Sequence, residues 1–243
     1  MTGEFGGRAR FAVENYGDSA LAKRFGVTRY PAIFVGDVLV ATPSDFGFYG
    51  KGEGEGGGRY APLKSAKSHA RFREDLSRMI ELLLAGDAAA ARERAVSEES
   101  GAVAAWPADL SVTDIDGKPL AAADLAGRAV LVDFWATWCP PCLGSLPWVA
   151  SLPRKYGDRL AVVAIAVESP EARTREIAKE KGGSAPGVRF VQGTPDLVRS
   201  FGDVSAVPTL LLFDREGKLA DSFFGAPPGQ HAAVEARIDA VLR

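Results

Sequence analysis

The chain has 243 residues, enough for one large domain or two small ones with a real core. Charged residues make up 25% of it and the net charge is -2, with no basic stripe of interleaved aromatics, so nothing points to nucleic acid as a partner. No apolar run reaches the ~18 residues of a spanning helix, and two cysteines are too few for a disulfide scaffold.

The start, "MTGEFGGRARFAV", has no basic segment followed by an apolar one, so no signal peptide is visible. "RARFAVEN" (8–15) alternates as a strand does, and "SALAKRFG" (19–26) reads as a helix. "PAIFVGDVLVA" (31–41) reads as two strands around "GD". Residues 42–67 are Gly-rich, and their composition gives no reason for a fixed shape. "HARFREDLSRMIELLLAG" (69–86) is an amphipathic helix with Phe72, Leu76, Met79, Ile80 and Leu83 on one face and Gly86 ending it. Residues 87–100 read as a solvated helix or a linker.

From residue 101 the pattern is more regular. "DG" at Asp116–Gly117 sits between short alternating segments, a hairpin signal. "RAVLVDFWA" (128–136) is an apolar run that predicts a buried strand. A helix follows from Cys139, with Pro140 and Pro141 in its first turn, where a missing N–H costs little. Pro147 is expected to kink that helix or end it. "RLAVVAIAVES" (159–169) is a second buried strand, and "SPEARTREIAKEKGG" (169–183) a solvated helix. "TPDLVRSFG" (194–202) is a short helix, and "TLLLFDREGKLADSFFG" (209–225) is strand, turn, strand. The last 15 residues form an amphipathic helix with Val234, Ile238 and Val241 on one face. The order β-β-β-α-β-α-α-β-β-α predicts an α/β sandwich with a mixed sheet. Residues 21–41 echo residues 197–220: helix end, Phe-Gly, Pro, strand, strand. Such an echo points to two related domains.

Both cysteines lie in "WCPPC", at Cys139 and Cys142. A zinc site needs about four Cys or His ligands, and His69 and His231 lie far away in sequence with no ligand spacing. An inert clip over so short a loop would constrain the unfolded chain little. Redox chemistry is the better fit. A cysteine at a helix start meets unpaired N–H groups and the positive end of the dipole, which favour its thiolate. That makes Cys139 the nucleophile, and Cys142, three residues on, the thiol that resolves the mixed disulfide.

"VLVDFWATWCPPC", with "VSAVPTLLLFDREGKL" downstream, its Pro208 66 residues beyond Cys142, resembles the thioredoxin superfamily, and more narrowly its TlpA/ResA-like thiol–disulfide oxidoreductases. The resemblance covers about 101–243, and more weakly 10–86. It implies a three-layer α/β/α sandwich with a mixed central sheet, preceded by an incomplete thioredoxin-like half-domain at 1–86. It implies no cofactor, no metal, protein thiol or disulfide clients, and a redox partner to recycle the pair. It also places Trp138 beside the nucleophile. Asp133 becomes a buried acid that takes the proton of Cys142, and Pro208 a cis-proline facing the disulfide. A cis bond there leaves the Val207 backbone free to pair with an extended client strand. Ser145 departs from the pattern, since many TlpA-like relatives carry Glu there.

In the first half Pro31 aligns with Pro208, but the strand and helix that would carry a second CxxC are absent, so residues 1–100 are expected to be the remainder of a longer domain. Relatives are often exported and membrane-anchored in bacteria, so a periplasmic site is the expectation for a longer chain, and a cytoplasmic one otherwise. Two other functions compete with disulfide exchange. One is a thiol peroxidase, although "DFWATW" lacks the proline that a peroxidase carries before its cysteine. The other is a client-binding adaptor in which the cysteines are incidental.

Overall fold

The computed structural model describes residues 2–14, 19–27, 31–42, 45–46, 60, 65–94, 105–182, 187–202 and 204–243. The chain divides into two compact units, Met1–Gly101 and Ala102–Arg243.

In the first unit, helix α1 (Ala20–Phe25) starts where the Ser19 hydroxyl accepts from the Ala22 amide. The Glu14 carboxylate also accepts from Ser19 Oγ and from the Leu21 amide, which tethers the preceding chain to the helix start. Strands β1 (Ile33–Val35) and β2 (Val38–Ala41) form an antiparallel hairpin. Helix α2 (Ala66–Leu84) is capped by Ser65. It closes with the Gly86 amide on the Leu83 carbonyl and the Asp87 amide on the Leu82 carbonyl. This paired closure needs a left-handed residue, and Gly86 supplies it at φ 80°. Helix α3 (Ala88–Glu93) follows at once, capped by Asp87. Val38, Val40, Leu76, Met79 and Ala91 make the core, with Phe72 and Leu83 packed against it.

Three expectations change here. Residues 8–14 form no strand: no neighbouring ladder exists among the described residues, and Phe11 and Val13 are 79% and 76% exposed. Ala91 is fully buried in the core, so α3 belongs to the first unit and is neither linker nor solvated on all sides. Within the Gly-rich stretch, Phe46 and Tyr60 pack on Phe72 at ring separations of 5.8 and 4.8 Å, and the Tyr60 hydroxyl meets Asp75 at 3.0 Å. Residues 43–44, 47–59 and 61–64 lie outside the described residues.

The second unit opens with an antiparallel hairpin, β3 (Ser111–Thr113) and β4 (Pro119–Ala121). Strand β5 (Ala129–Trp135), helix α4 (Pro140–Tyr156), strand β6 (Leu160–Ala166), helix α5 (Glu171–Gly182) and strand β7 (Val188–Gln192) form two successive parallel units. Helix α6 (Pro195–Arg199), the antiparallel strands β8 (Thr209–Phe213) and β9 (Leu219–Phe224), and helix α7 (Gln230–Val241) complete the chain. The sheet order is β7-β6-β5-β8-β9, with β5 central and all seven of its residues buried. Both parallel crossovers advance in the same direction, and right-handed crossovers then place α4 and α5 on one face.

That face carries the main core. Ala129 and Leu131 of β5, Leu160 and Val162 of β6, and Leu210 and Leu212 of β8 pack against Val149, Leu152 and Tyr156 of α4 and Val234, Ile238 and Leu242 at α7. On the opposite face Phe134 meets Phe201 at 5.4 Å, and Trp106 meets Phe201 and Phe213 at 5.3 and 5.5 Å, all edge-on.

Two features differ from the sequence reading. Pro147 does not end α4, which runs on to Tyr156 through Pro153 as well. An interior proline costs about 3 kcal/mol, but Pro147 lies on the exposed side while Leu146, Val149, Ala150, Leu152 and Tyr156 bury the other. Their burial outweighs the lost hydrogen bond. Strand β7 has no counterpart in the sequence reading. It extends the sheet beyond β6, and Arg189 on it donates to Asp114 at 2.6 Å and to the carbonyls of Lys118 and Pro119. This tie fastens the β3–β4 hairpin to β7. Burial pushes the Asp114 carboxyl up, but the Lys118 amide and then Arg189, both bonded to it, hold it below its ordinary value.

Candidate functional site

Cys139 and Cys142 are joined in a disulfide, Sγ–Sγ 2.06 Å, and only 4% and 1% exposed. Cys139 is the N-cap of α4. Pro140 and Pro141 take the first two helical positions and carry no N–H, so the first helical amide is that of Cys142. That amide donates to Cys139 Sγ at 3.3 Å. The next one, of Leu143, donates to the Cys139 carbonyl at 3.1 Å. The prolines thus leave one first-turn donor, and it points at the sulfur of the N-cap cysteine. A donor in that place favours negative charge on Cys139 over Cys142.

The loop that carries Cys139 leaves the sheet where β5 ends. Phe134 pairs with Thr209, the first residue of β8, so the segment ending at Pro208 reaches the same end of the sheet from the other side. The Val207–Pro208 peptide is cis. The Pro208 carbonyl accepts from the Gly225 amide at 2.9 Å, and Thr209 Oγ1 donates to the Ala206 carbonyl at 2.8 Å. Among the described residues the Val207 backbone makes no hydrogen bond.

Asp133 lies on β5 opposite Ala164 of β6 and Leu210 of β8. Side chains alternate along a strand, so Asp133 continues the row Ala129–Leu131 on the face that packs α4. Cys142 begins the buried stripe of α4 that Leu146 and Val149 continue. Asp133 is 4% exposed, and loss of hydration pushes its carboxyl from 3.8 up to about 7. The sheet thus brings the acid under the helix that carries Cys142.

Trp138 is 53% exposed next to the N-cap. Its indole N–H donates to the Glu168 carbonyl at 3.1 Å, in the loop after β6. The Ser169 hydroxyl accepts from the Thr137 amide at 2.9 Å and donates to the Val167 carbonyl at 2.9 Å. Sequence reasoning missed this loop, because nothing in "VESP" marks a residue that bonds a segment 30 positions away. Ser145 donates to the Pro141 carbonyl at 3.0 Å and so braces the first turn of α4. Among the described residues no three His, Cys, Asp or Glu side chains converge to hold a metal, and no helix is long and apolar enough to cross a membrane.

The Redoxin family model matches residues 99–242, more than half of the chain. A thiol-disulfide oxidoreductase ResA of Bacillus cereus is 30% identical over 115 residues, which are 47% of this chain and 65% of that ResA. The chain thus spans just under two-thirds of that relative's length. Thioredoxin-like protein YneN of Bacillus subtilis (strain 168) is 31% identical over 120 residues, 48% of this chain and 68% of YneN. A crystal structure of a thiol:disulfide interchange protein, a thioredoxin family protein from Chlorobium tepidum TLS, overlays with a TM-score of 0.50 at 27% identity. It covers 61% of this chain and 100% of that one, and it supports the thioredoxin-like α/β fold of the second unit. With the cysteine pair at a helix start and the mixed sheet beneath it, these likenesses place the chain in the Redoxin family, among its ResA-like thioredoxin-fold members.

Proposed function

We propose that the chain is a thiol–disulfide oxidoreductase acting on protein clients. The observation that carries this reading is the Cys139–Cys142 disulfide at the N-terminus of α4, with the one first-turn amide donating to Cys139 Sγ. In the reductive direction the Cys139 thiolate attacks one sulfur of a client disulfide. That S–S bond breaks, its other sulfur leaves as a thiolate, and a mixed disulfide forms at Cys139. Cys142 then loses its proton to the Asp133 carboxylate and attacks Cys139 Sγ. The mixed disulfide breaks and the client's second sulfur leaves. Two electrons have passed to the client, and the pair is oxidised. The reverse sequence oxidises a client dithiol. A separate thiol or disulfide partner resets the pair.

Cys139 is the nucleophile, Cys142 the resolving thiol and Asp133 the proton acceptor. Trp138 and the Val207–Pro208 backbone form the client-binding edge, where an extended client segment pairs with the free groups of Val207. Asp133 suits its role because a carboxyl near 7 both takes and returns a proton at neutral pH. The first unit holds no cysteine. Its α1, β1 and β2 follow the helix–strand–strand order of α6, β8 and β9, which supports reading it as a partial thioredoxin-like unit for binding or support. The test is reduction of insulin by catalytic amounts of the chain with dithiothreitol as electron donor. The expected result is acceleration by the native chain and none by Cys139→Ser. A Cys139→Ser variant as active as the native chain would overturn the reading.

A further inference from the structure

The loop between β6 and α5 contains Glu168, a non-glycine residue at positive φ, 42°. Such a conformation is disfavoured for a side chain other than glycine and persists where the surroundings fix it. Here it turns the Glu168 carbonyl to the Trp138 indole N–H at 3.1 Å. The next residue, Ser169, holds the same segment one position earlier, through the Thr137 amide. Its own carbonyl accepts from Gln192 Nε2 at 2.8 Å, at the end of β7. The Gly193 amide donates to the Ala166 carbonyl at 2.8 Å. A continuous chain of bonds therefore runs from β7 through Ser169 and Glu168 to Thr137 and Trp138, which adjoin Cys139.

We propose that Ser169 is a positioning residue for client binding: its hydroxyl fixes the Thr137–Trp138 segment so that the exposed indole stands in one place beside Cys139. Ser169 acts through Trp138 and touches neither sulfur in this role. A half-exposed tryptophan would otherwise lose rotamer freedom whenever a client docks, and a segment fixed in advance spares that cost. The loop after β6 is then part of the recognition surface, and the edge strand β7 is its brace. The inference rests on the disulfide-exchange reading above.

The experiment compares the native chain with Ser169→Ala, Ser169→Thr and Gln192→Ala in insulin reduction, with KM and kcat separated and acrylamide quenching of tryptophan fluorescence in parallel. Ser169→Ala is expected to raise KM about five-fold, the worth of one net hydrogen bond, while kcat stays within about two-fold. Ser169→Thr keeps a hydroxyl and is expected to restore KM. Gln192→Ala is expected to shift KM in the same direction by less. Quenching should rise in Ser169→Ala as the indole becomes mobile. An unchanged KM in both Ser169→Ala and Gln192→Ala, or a loss of kcat equal to the loss of kcat/KM, would overturn the proposal. A native chain that reduces no insulin would instead refute the exchange reading, and this inference with it.

Discussion

Replacing Asp133 by Asn tests the buried acid through stability as well as catalysis. The carboxyl ionises near 3.8 in the unfolded chain and near 7 in the fold, and burial is the cause. Below pH ~4 it is protonated in both states and pH has no leverage through it. Between ~4 and ~7 the unfolded state gives up a proton that the folded state keeps, so stability falls as pH rises. Above ~7 both states are ionised and the loss is complete. At ~1.4 kcal/mol per pH unit, the gap corresponds to about 4 kcal/mol, an upper value because water entering beside the carboxylate reduces it. Asn is nearly isosteric and does not ionise. Urea unfolding of the oxidised native chain and of Asp133→Asn at about pH 5 and about pH 8 measures the difference. The native chain should lose stability relative to the variant over that interval, by about 1–2.5 kcal/mol, because part of the loss is already complete at about pH 5. The same variant should slow the Cys142 resolving step by about 100-fold or more, the usual worth of a positioned base. Parallel stability curves for the two proteins across that interval would refute the argument.

Two further substitutions test the packing. Ile238 is fully buried between α7 and the sheet, so Ile238→Ala should cost about 2–5 kcal/mol in urea or thermal unfolding while the cysteine pair still forms. A Cβ on Gly193 would stand 2.6 Å from the Ala166 carbonyl oxygen, so Gly193→Ala should destabilise by about 1–3 kcal/mol, read as a lower urea midpoint.

The second unit is largely legible because its signals are local. Long apolar runs announce β5 and β6, turn residues bound β8 and β9, and periodicity marks α7. "WCPPC" locates the chemistry because the prolines, the N-cap and the cysteine spacing all act within one turn. β7 is not legible: "VRFVQ" is short and places Arg189 in its midst, and that arginine is satisfied by Asp114 and the hairpin around it, 75 residues away. The continuation of α4 through Pro147 depends on burial of the opposite face, which tertiary packing decides. Residues 8–14 show the converse case, an alternating segment that finds no ladder among the described residues. Glu168 and Ser169 escape notice because a Ser–Pro pair ordinarily announces a helix start, whereas this serine bonds the loop before Cys139. The Asp133 environment is legible only through resemblance, since its burial follows from β5 being central.

The central claim is covalent exchange at Cys139, and trapping is its most direct test. Cys142→Ser removes the resolving thiol and leaves one cysteine in the chain. Reduced Cys142→Ser mixed with an oxidised protein client should give one disulfide-linked adduct by intact mass, released by dithiothreitol. The doubly substituted Cys139→Ser, Cys142→Ser chain should give none. Exchange by the native chain with no adduct from Cys142→Ser would contradict the account.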